Sequence, residues 1–187
     1  MKDADIRSIL HSLEIPRLCA HEPDSLVIDE LGIMEGAFRM DVAVVNGKLH
    51  GYEIKSAADN LDRLPSQQSA YNKVFDKLTL VVDERHVENA VKLVPPYWGL
   101  MVAGLRNGAP YIDEIWPARL NFEVDAYTVC QLLWRDEALA LLRLKELAHG
   151  LWHKPRNVLW RKLANSVDLQ ELRALIRGTL QARRKWR

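Results

Sequence analysis

The sequence predicts an α/β fold carrying an α-helical C-terminal extension. Three observations predict it. Up to about residue 117, short apolar runs bounded by turn residues alternate with stretches of helical periodicity, and beyond Pro117 only helical stretches follow. "LTLVV", 78–82, is almost entirely apolar, as expected of a strand covered on both faces. Charge divides at a similar place: from Asp125 onward thirteen Lys and Arg stand against six Asp and Glu, a balance of +7, and the rest of the chain carries −6. We therefore expect an α/β unit over residues 1–120 and a basic helical unit over 121–187.

The elements follow in order. Asp3 or Asp5 can cap a first helix running to about Glu14, with Ile6, Ile9, Leu10 and Leu13 on one face. Pro16 and Pro23 mark the loop after it. "SLVIDELGI" predicts a strand from Leu26 to about Leu31. "MDVAVVNGKLHGYEIKS", 40–56, reads as strand, turn and strand around Asn46-Gly47. "PSQQSAYNKVFDK" is helical, with Ser66 as its expected cap. After the apolar strand, "DERHVENAVKLV" is a helix closed by Pro95-Pro96, and "WGLMVAG" and "YIDEIW" are two further strands. Three helical stretches near 127–148, 156–165 and 168–184 complete the chain, with Gly150, Pro155 and Ser166 between them.

Composition sets the class. Of 187 residues, 48% are hydrophobic and 27% charged, the balance of a soluble globular protein. Apolar runs are too short for a membrane span, and the N-terminal "MKDADIRSIL" carries acids, unlike a secretory signal. Cys19 and Cys130 are too few and too distant for a disulfide framework or a zinc knuckle. A cytoplasmic protein with no membrane association is expected.

The hairpin holds the chemistry. Side chains alternate along a strand, so Glu53 and Lys55 share a face while Ile54 points away. Asp41 joins them only if the turn has an odd number of residues. A two-residue Asn46-Gly47 turn would place Asp41 and Glu53 on opposite faces. A three-residue loop, Val45-Asn46-Gly47 with Gly47 left-handed, would set Asp41 opposite Gly51 and diagonal to Glu53. We expect the odd-numbered loop. Two neighbouring carboxylates then need a cation between them, or one must stay protonated. Oxygen ligands on a rigid strand pair suit Mg²⁺, and a metal-bound water beside a lysine is equipment for hydrolysing a phosphodiester. The alternative is a structural ion pair between Glu53 and Lys55 or Asp41.

Asp41, eleven residues, then Glu53-Ile54-Lys55 resembles the D…ExK signature of the PD-(D/E)XK, or restriction-endonuclease-like, nucleases. Gln67 and Tyr71, one helical turn apart, resemble the QxxxY motif of the RecB-type branch. The resemblance covers roughly residues 3 to 117, with Met40 where the family's Pro stands. It implies a core of helix, antiparallel strand meander, helix and strand. It implies a DNA nuclease using Mg²⁺, with Mn²⁺ as a substitute. Asp41 and Glu53 would bind the metal with the Ile54 carbonyl, and Lys55 would position the attacking water. Gln67 and Tyr71 would hold the site. A first acid upstream of Asp41 is also implied: Glu30 is the best match, with Glu35, Asp29 and Glu14 as competitors.

Outside that set, Arg63 can reach a phosphate or pair with Asp59 or Asp62, and Asp59 can cap a turn. In the tail, Lys154, Arg156, Arg161, Lys162, Arg183, Arg184, Lys185 and Arg187 remain outside the apolar stripes and form a candidate DNA-binding surface, or simply a solvated basic face. His149 and His153 have metal-like spacing, but Gly150 interrupts the helix and a surface pair is expected. The expected function is metal-dependent DNA cleavage. The alternative is a nucleic-acid-binding module or a partner subunit acting through the basic helices. A protein partner and a homodimer are both compatible with the sequence.

Overall fold

The structure is a computed structural model that describes residues 1–20, 22–183 and 186. Among these residues six strands form one mixed sheet, ordered as they occur in the chain. They are β1 (Leu26–Ile33), β2 (Phe38–Val45), β3 (Leu49–Lys55), β4 (Lys77–Asp83), β5 (Gly99–Arg106) and β6 (Ala109–Trp116). The first three form an antiparallel meander, β3, β4 and β5 run parallel, and β6 returns antiparallel to β5. Tight loops suffice for the antiparallel pairs. The parallel pairs need crossovers, supplied by α3 (Leu64–Tyr71) and α4 (Val87–Leu93).

Apolar side chains leave both faces of the sheet. Val42, Val44, Tyr52, Ile54, Val81 and Met101 pack with Ile6, Ile9 and Leu10 of the N-terminal helix. Ala43, Val45, Leu78, Leu80 and Val82 face the other way and join the core of the C-terminal helices. This is why "LTLVV" is apolar but for Thr79: Leu78, Leu80 and Val82 supply one core and Val81 the other.

The sheet is followed by α5 (Ala126–Cys130), α6 (Arg135–Leu144), α7 (Arg156–Ser166) and α8 (Leu169–Ala182). Leu159, Trp160, Leu163, Leu172, Ile176 and Leu180 are buried in the same cluster as β2 and β4, so the core runs continuously past residue 120. A buried ionic link reinforces the junction. Asp76, 1% exposed, accepts from the Leu49 N–H at 2.7 Å, is ion-paired to Arg173 and accepts from Arg177 at 3.2 Å.

Several local expectations need correction. The first helix does not end at Glu14. After α1 (Asp3–Ile9) a widened π turn spans Leu10–Glu14, and α2 (Ile15–Cys19) continues the helical path. Pro16 sits in the first turn of α2, directly after the widened turn that interrupts the regular helix. Ser66 is not the cap of α3: the helix starts at Leu64, and the Ser66 hydroxyl donates back to the Arg63 carbonyl at 2.8 Å. The stretch expected near 127–148 is two helices. Trp134 is extended between them, and Glu137 accepts from its N–H at 2.7 Å, starting α6 afresh. Among the described residues no helix is long and apolar enough to cross a membrane.

Candidate active site

The hairpin has the odd-numbered loop. Val45 pairs with Leu49, leaving Asn46, Gly47 and Lys48 between the strands, and Gly47 is left-handed at φ +71°. The loop lies one residue later than the sequence suggests. One further step of this register sets Asp41 across from Glu53 rather than diagonal to it.

A second irregularity re-aims Asp41. In the β1–β2 ladder Asp29 pairs with Val42 and Leu31 with Met40, whereas Glu30 and Asp41 between them do not pair. Glu30 has φ +58°, a left-handed conformation that disfavours residues with a Cβ. The alternation slips there: Ile28 and Leu31 share one core, and so do Met40 and Ala43. Such a strained position costs about 1 kcal/mol or more and persists only where its surroundings over-determine it. Here they do: the Glu30 carboxylate is bound by Arg7 at 2.5 Å and by Arg39.

The result is a cleft of about 530 Å³ whose lining includes Asp3, Arg39, Asp41, Glu53, Ile54, Lys55, Arg63, Gln67 and Tyr71. Asp41 Oδ2 accepts from the Ile54 N–H at 2.7 Å. The Lys55 ammonium donates to Glu53 Oε1 at 2.7 Å and to Gln67 Oε1 at 3.0 Å. Gln67 Nε2 donates to Glu53 Oε1 at 2.5 Å, and the Tyr71 hydroxyl donates to the Arg39 carbonyl at 2.8 Å. Glu53 is 2% exposed, yet its Oε2 has no hydrogen-bond partner. An unsatisfied carboxylate oxygen at that depth is costly unless something positive is meant to meet it.

Electrostatics agree with that reading. Burial, then the charge of Glu53, push the Asp41 carboxyl up to about 7, against the pull of the Ile54 N–H and of Arg7. Burial and Glu53 likewise raise the Tyr71 phenol above its ordinary value. A divalent cation would relieve the strain between the two carboxylates. Two carboxylates, one with a free oxygen, fit Mg²⁺, which retains several waters when bound by few protein ligands. Among the described residues no group of three or more His, Cys, Asp or Glu is arranged as a self-sufficient metal cage.

The family model described as bacteriophage P4 protein cII matches residues 9–186. The chain belongs to that family. Protein cII of Enterobacteria phage P4 is 25% identical to it over 164 residues, which is 86% of this chain and 60% of the phage protein. The chain thus spans less than two thirds of that relative's length. A solved structure, the SPO1766 protein of unknown function from Silicibacter pomeroyi, is 20% identical with a TM-score of 0.42, covering 73% of this chain and 89% of the other.

In this cII-family chain the other expected site residues fall into distinct groups. Both Glu30 oxygens are held by guanidinium groups, so Glu30 is tied to Arg7 and Arg39 instead of opening onto the cleft. Its competitors do not line the cleft either: Asp29 meets His11 at 2.8 Å, Glu35 meets Arg156, and Glu14 lies near Glu114. The acid upstream of Asp41 that does line it is Asp3, in the first turn of α1. Asp3 and Arg7 were not recognisable as site residues in the sequence. Their four-residue spacing, which makes them an i, i+4 pair, is the one local sign.

Arg63 lines the cleft beside Ser66 and Gln67, while Asp59, its possible partner, caps the turn at Ser56 with bonds of 2.7 and 2.6 Å. Lys154, Arg156, Arg161 and Lys162 are exposed on or just before α7, with Arg156 reaching Glu35. Arg183 must be removed from the surface set. Its side chain is 4% exposed, bridges Glu137 and the Leu132 carbonyl, and stacks 4.1 Å from the Trp134 ring. Its charge serves the α6–α8 packing. Arg184, Lys185 and Arg187 lie outside the described residues. His149 and His153 are exposed, and Gly150 between them is left-handed at φ +72°.

Proposed function

We propose that this chain is a Mg²⁺-dependent DNA nuclease with a restriction-endonuclease-like core, cutting phosphodiester bonds in the cleft between β2, β3 and α3. The observation that carries this reading is the buried Glu53 carboxylate, which lines the cleft with Asp41 and Lys55 and has one oxygen without a hydrogen-bond partner. Asp41, Glu53 and the Ile54 carbonyl would hold the ion, with Mn²⁺ able to replace it. When bound, the metal supplies charge neutralisation and an acidified water.

The chain's own residues do the rest. Asp41 is held on one oxygen by the Ile54 N–H and faces Arg7 at 3.4 Å with the other, which fixes its carboxylate. Lys55, held by Glu53 and Gln67, presents fixed positive charge where an attacking water and the developing phosphorane charge meet. Gln67 keeps Glu53 and Lys55 in register, and Tyr71 ties α3 to the carbonyl of Arg39 on β2. Arg63 is placed to take a neighbouring phosphate. The exposed bases of α7 would hold the backbone farther out. The cytoplasm, where DNA is met, is the setting this reading requires.

The test is cleavage of supercoiled plasmid and single-stranded DNA with Mg²⁺ or Mn²⁺. Loss of cleavage in Asp41→Ala and Lys55→Ala, both folded by circular dichroism, supports it. Activity that survives either substitution overturns it. A second reading, a DNA-binding module without catalysis, is favoured by the buried Glu53–Lys55 ion pair, which a purely structural hairpin would also make. It predicts salt-sensitive DNA binding indifferent to EDTA and to both substitutions.

A further inference from the structure

One face of α3 runs along the cleft. Arg63, Ser66, Gln67 and Tyr71 all line it, and they recur at helical spacing. Arg63 and Tyr71 lie eight residues apart, roughly 12 Å along the helix at about 1.5 Å per residue. Gln67 stands between them, bonded to Glu53 and Lys55. At the Tyr71 end are Phe38 and Arg39, the first two residues of β2, which also line the cleft. The Phe38 ring meets the Tyr71 ring at 78° with 6.4 Å between centroids, and the Tyr71 hydroxyl donates to the Arg39 carbonyl at 2.8 Å. Phe38 is only half-buried and Arg39 is exposed. The cleft is thus ordered along its length. A guanidinium comes first, then the acids and lysine, then an aromatic ring beside a second guanidinium.

Resting on the nuclease reading, we propose that Phe38 is a base-stacking platform that makes the cleft select single-stranded DNA. The size of the cleft is one reason. At about 530 Å³ it matches a pocket for one small molecule rather than a groove for a duplex. Glu53 and Lys55 are only 2% and 5% exposed, so a phosphate must pass between the walls to reach them. A lone strand does this without bringing a partner strand along. Charge is another reason. The lining sets Asp3, Asp41, Glu53 and Asp59 against Arg39, Lys55 and Arg63, so attraction for phosphates is a weak hold and contact with bases has to contribute. The ring itself is the third. Duplex bases are stacked on one another, whereas an unpaired base is free to lie on an aromatic side chain. Arg39, next in the chain, is placed for the phosphate of the stacked nucleotide. Glu35, three residues before Phe38, is ion-paired with Arg156, so the exposed bases of α7 continue the path of the strand on that side.

The experiment is fluorescence anisotropy of the whole chain with labelled oligothymidylate, an abasic oligomer of the same length and a duplex of the same length. Ca²⁺, also a hard cation taking oxygen ligands, replaces Mg²⁺ so that binding is read apart from cleavage. Wild type should bind oligothymidylate about fivefold or more tightly than the abasic oligomer, the gain from one stacked base, and more tightly than the duplex. Phe38→Leu keeps an apolar side chain against Tyr71 and should bind the two single strands alike. Phe38→Trp should keep the preference. Equal binding of the two single strands by the wild type overturns the proposal even if Phe38→Leu fails to fold. So does duplex binding as tight as that of oligothymidylate, or no binding at all. A folded Phe38→Leu that retains the preference overturns it too. None of these touches the nuclease reading, which rests on cleavage in Mg²⁺. Base preference lost in Phe38→Leu, in a wild type that cuts nothing, supports the stacking platform and overturns the nuclease reading alone.

Discussion

Replacing Asp41 with Asn should stabilise the metal-free protein while abolishing cleavage. The Asp41 carboxyl moves from 3.8 to about 7 because it is buried beside Glu53. A carboxyl raised in the folded state favours folding only while protonated. Its contribution is therefore whole below about pH 4, and falls by about 1.4 kcal/mol per pH unit until the folded value is passed near pH 7. The full span amounts to about 4 kcal/mol by that conversion. The Asp41 side chain keeps 20% exposure, and the pair can share one proton, so about 2 kcal/mol is the expected gain at pH 8. Asn cannot ionise, yet its carbonyl still accepts from the Ile54 N–H. The assay is urea unfolding in EDTA at pH 5, 6, 7 and 8, read as the midpoint at constant slope. The gap between Asn and wild type should widen with pH and level off above pH 7. Adding Mg²⁺ at pH 8 should close the gap by stabilising the wild type alone. Parallel pH curves for the two proteins would refute the reasoning, as would an Asn variant less stable at pH 8.

Three further outcomes test other parts of the structure. Asp76→Ala leaves Arg173 buried without its partner and should cost about 3 kcal/mol, seen as a lowered urea midpoint; a change under 1 kcal/mol would show that the link contributes little. Arg161→Ala and Lys162→Ala should weaken DNA binding and flatten its salt dependence, each by about one released counterion, with stability unchanged. Arg183→Ala should do the reverse, lowering stability and leaving the salt slope alone, because its charge is spent on Glu137 and Trp134. Equal salt effects from all three would contradict the division between surface and packing.

Much of the fold was legible from local pattern. The β2–β3 hairpin followed from Asn46-Gly47, and β4 from an apolar run that faces two cores. The parity argument called for an odd-numbered loop, and the loop is odd-numbered; the slip at Glu30 and Asp41 lay outside that argument. The one-residue offset of the loop was beyond it, since Val45 and Leu49 could close the hairpin as well as their neighbours could. Pro16 and Ser66 misled because each has two good positions near a helix start. Neighbouring packing chose between them.

The sequence by itself determined the α/β order of elements, the buried strand, and a face where one lysine and two carboxylates meet. These depend on periods of two and of about four residues, which are written along the chain. Only the tertiary structure decided that Arg7 and Asp3 reach that face from the N-terminal helix, that Glu30 is drawn away from it, and that Arg183 is buried while Arg161 and Lys162 are not. Each of these depends on contacts between residues far apart in sequence, whose distances follow from packing on both faces of the sheet.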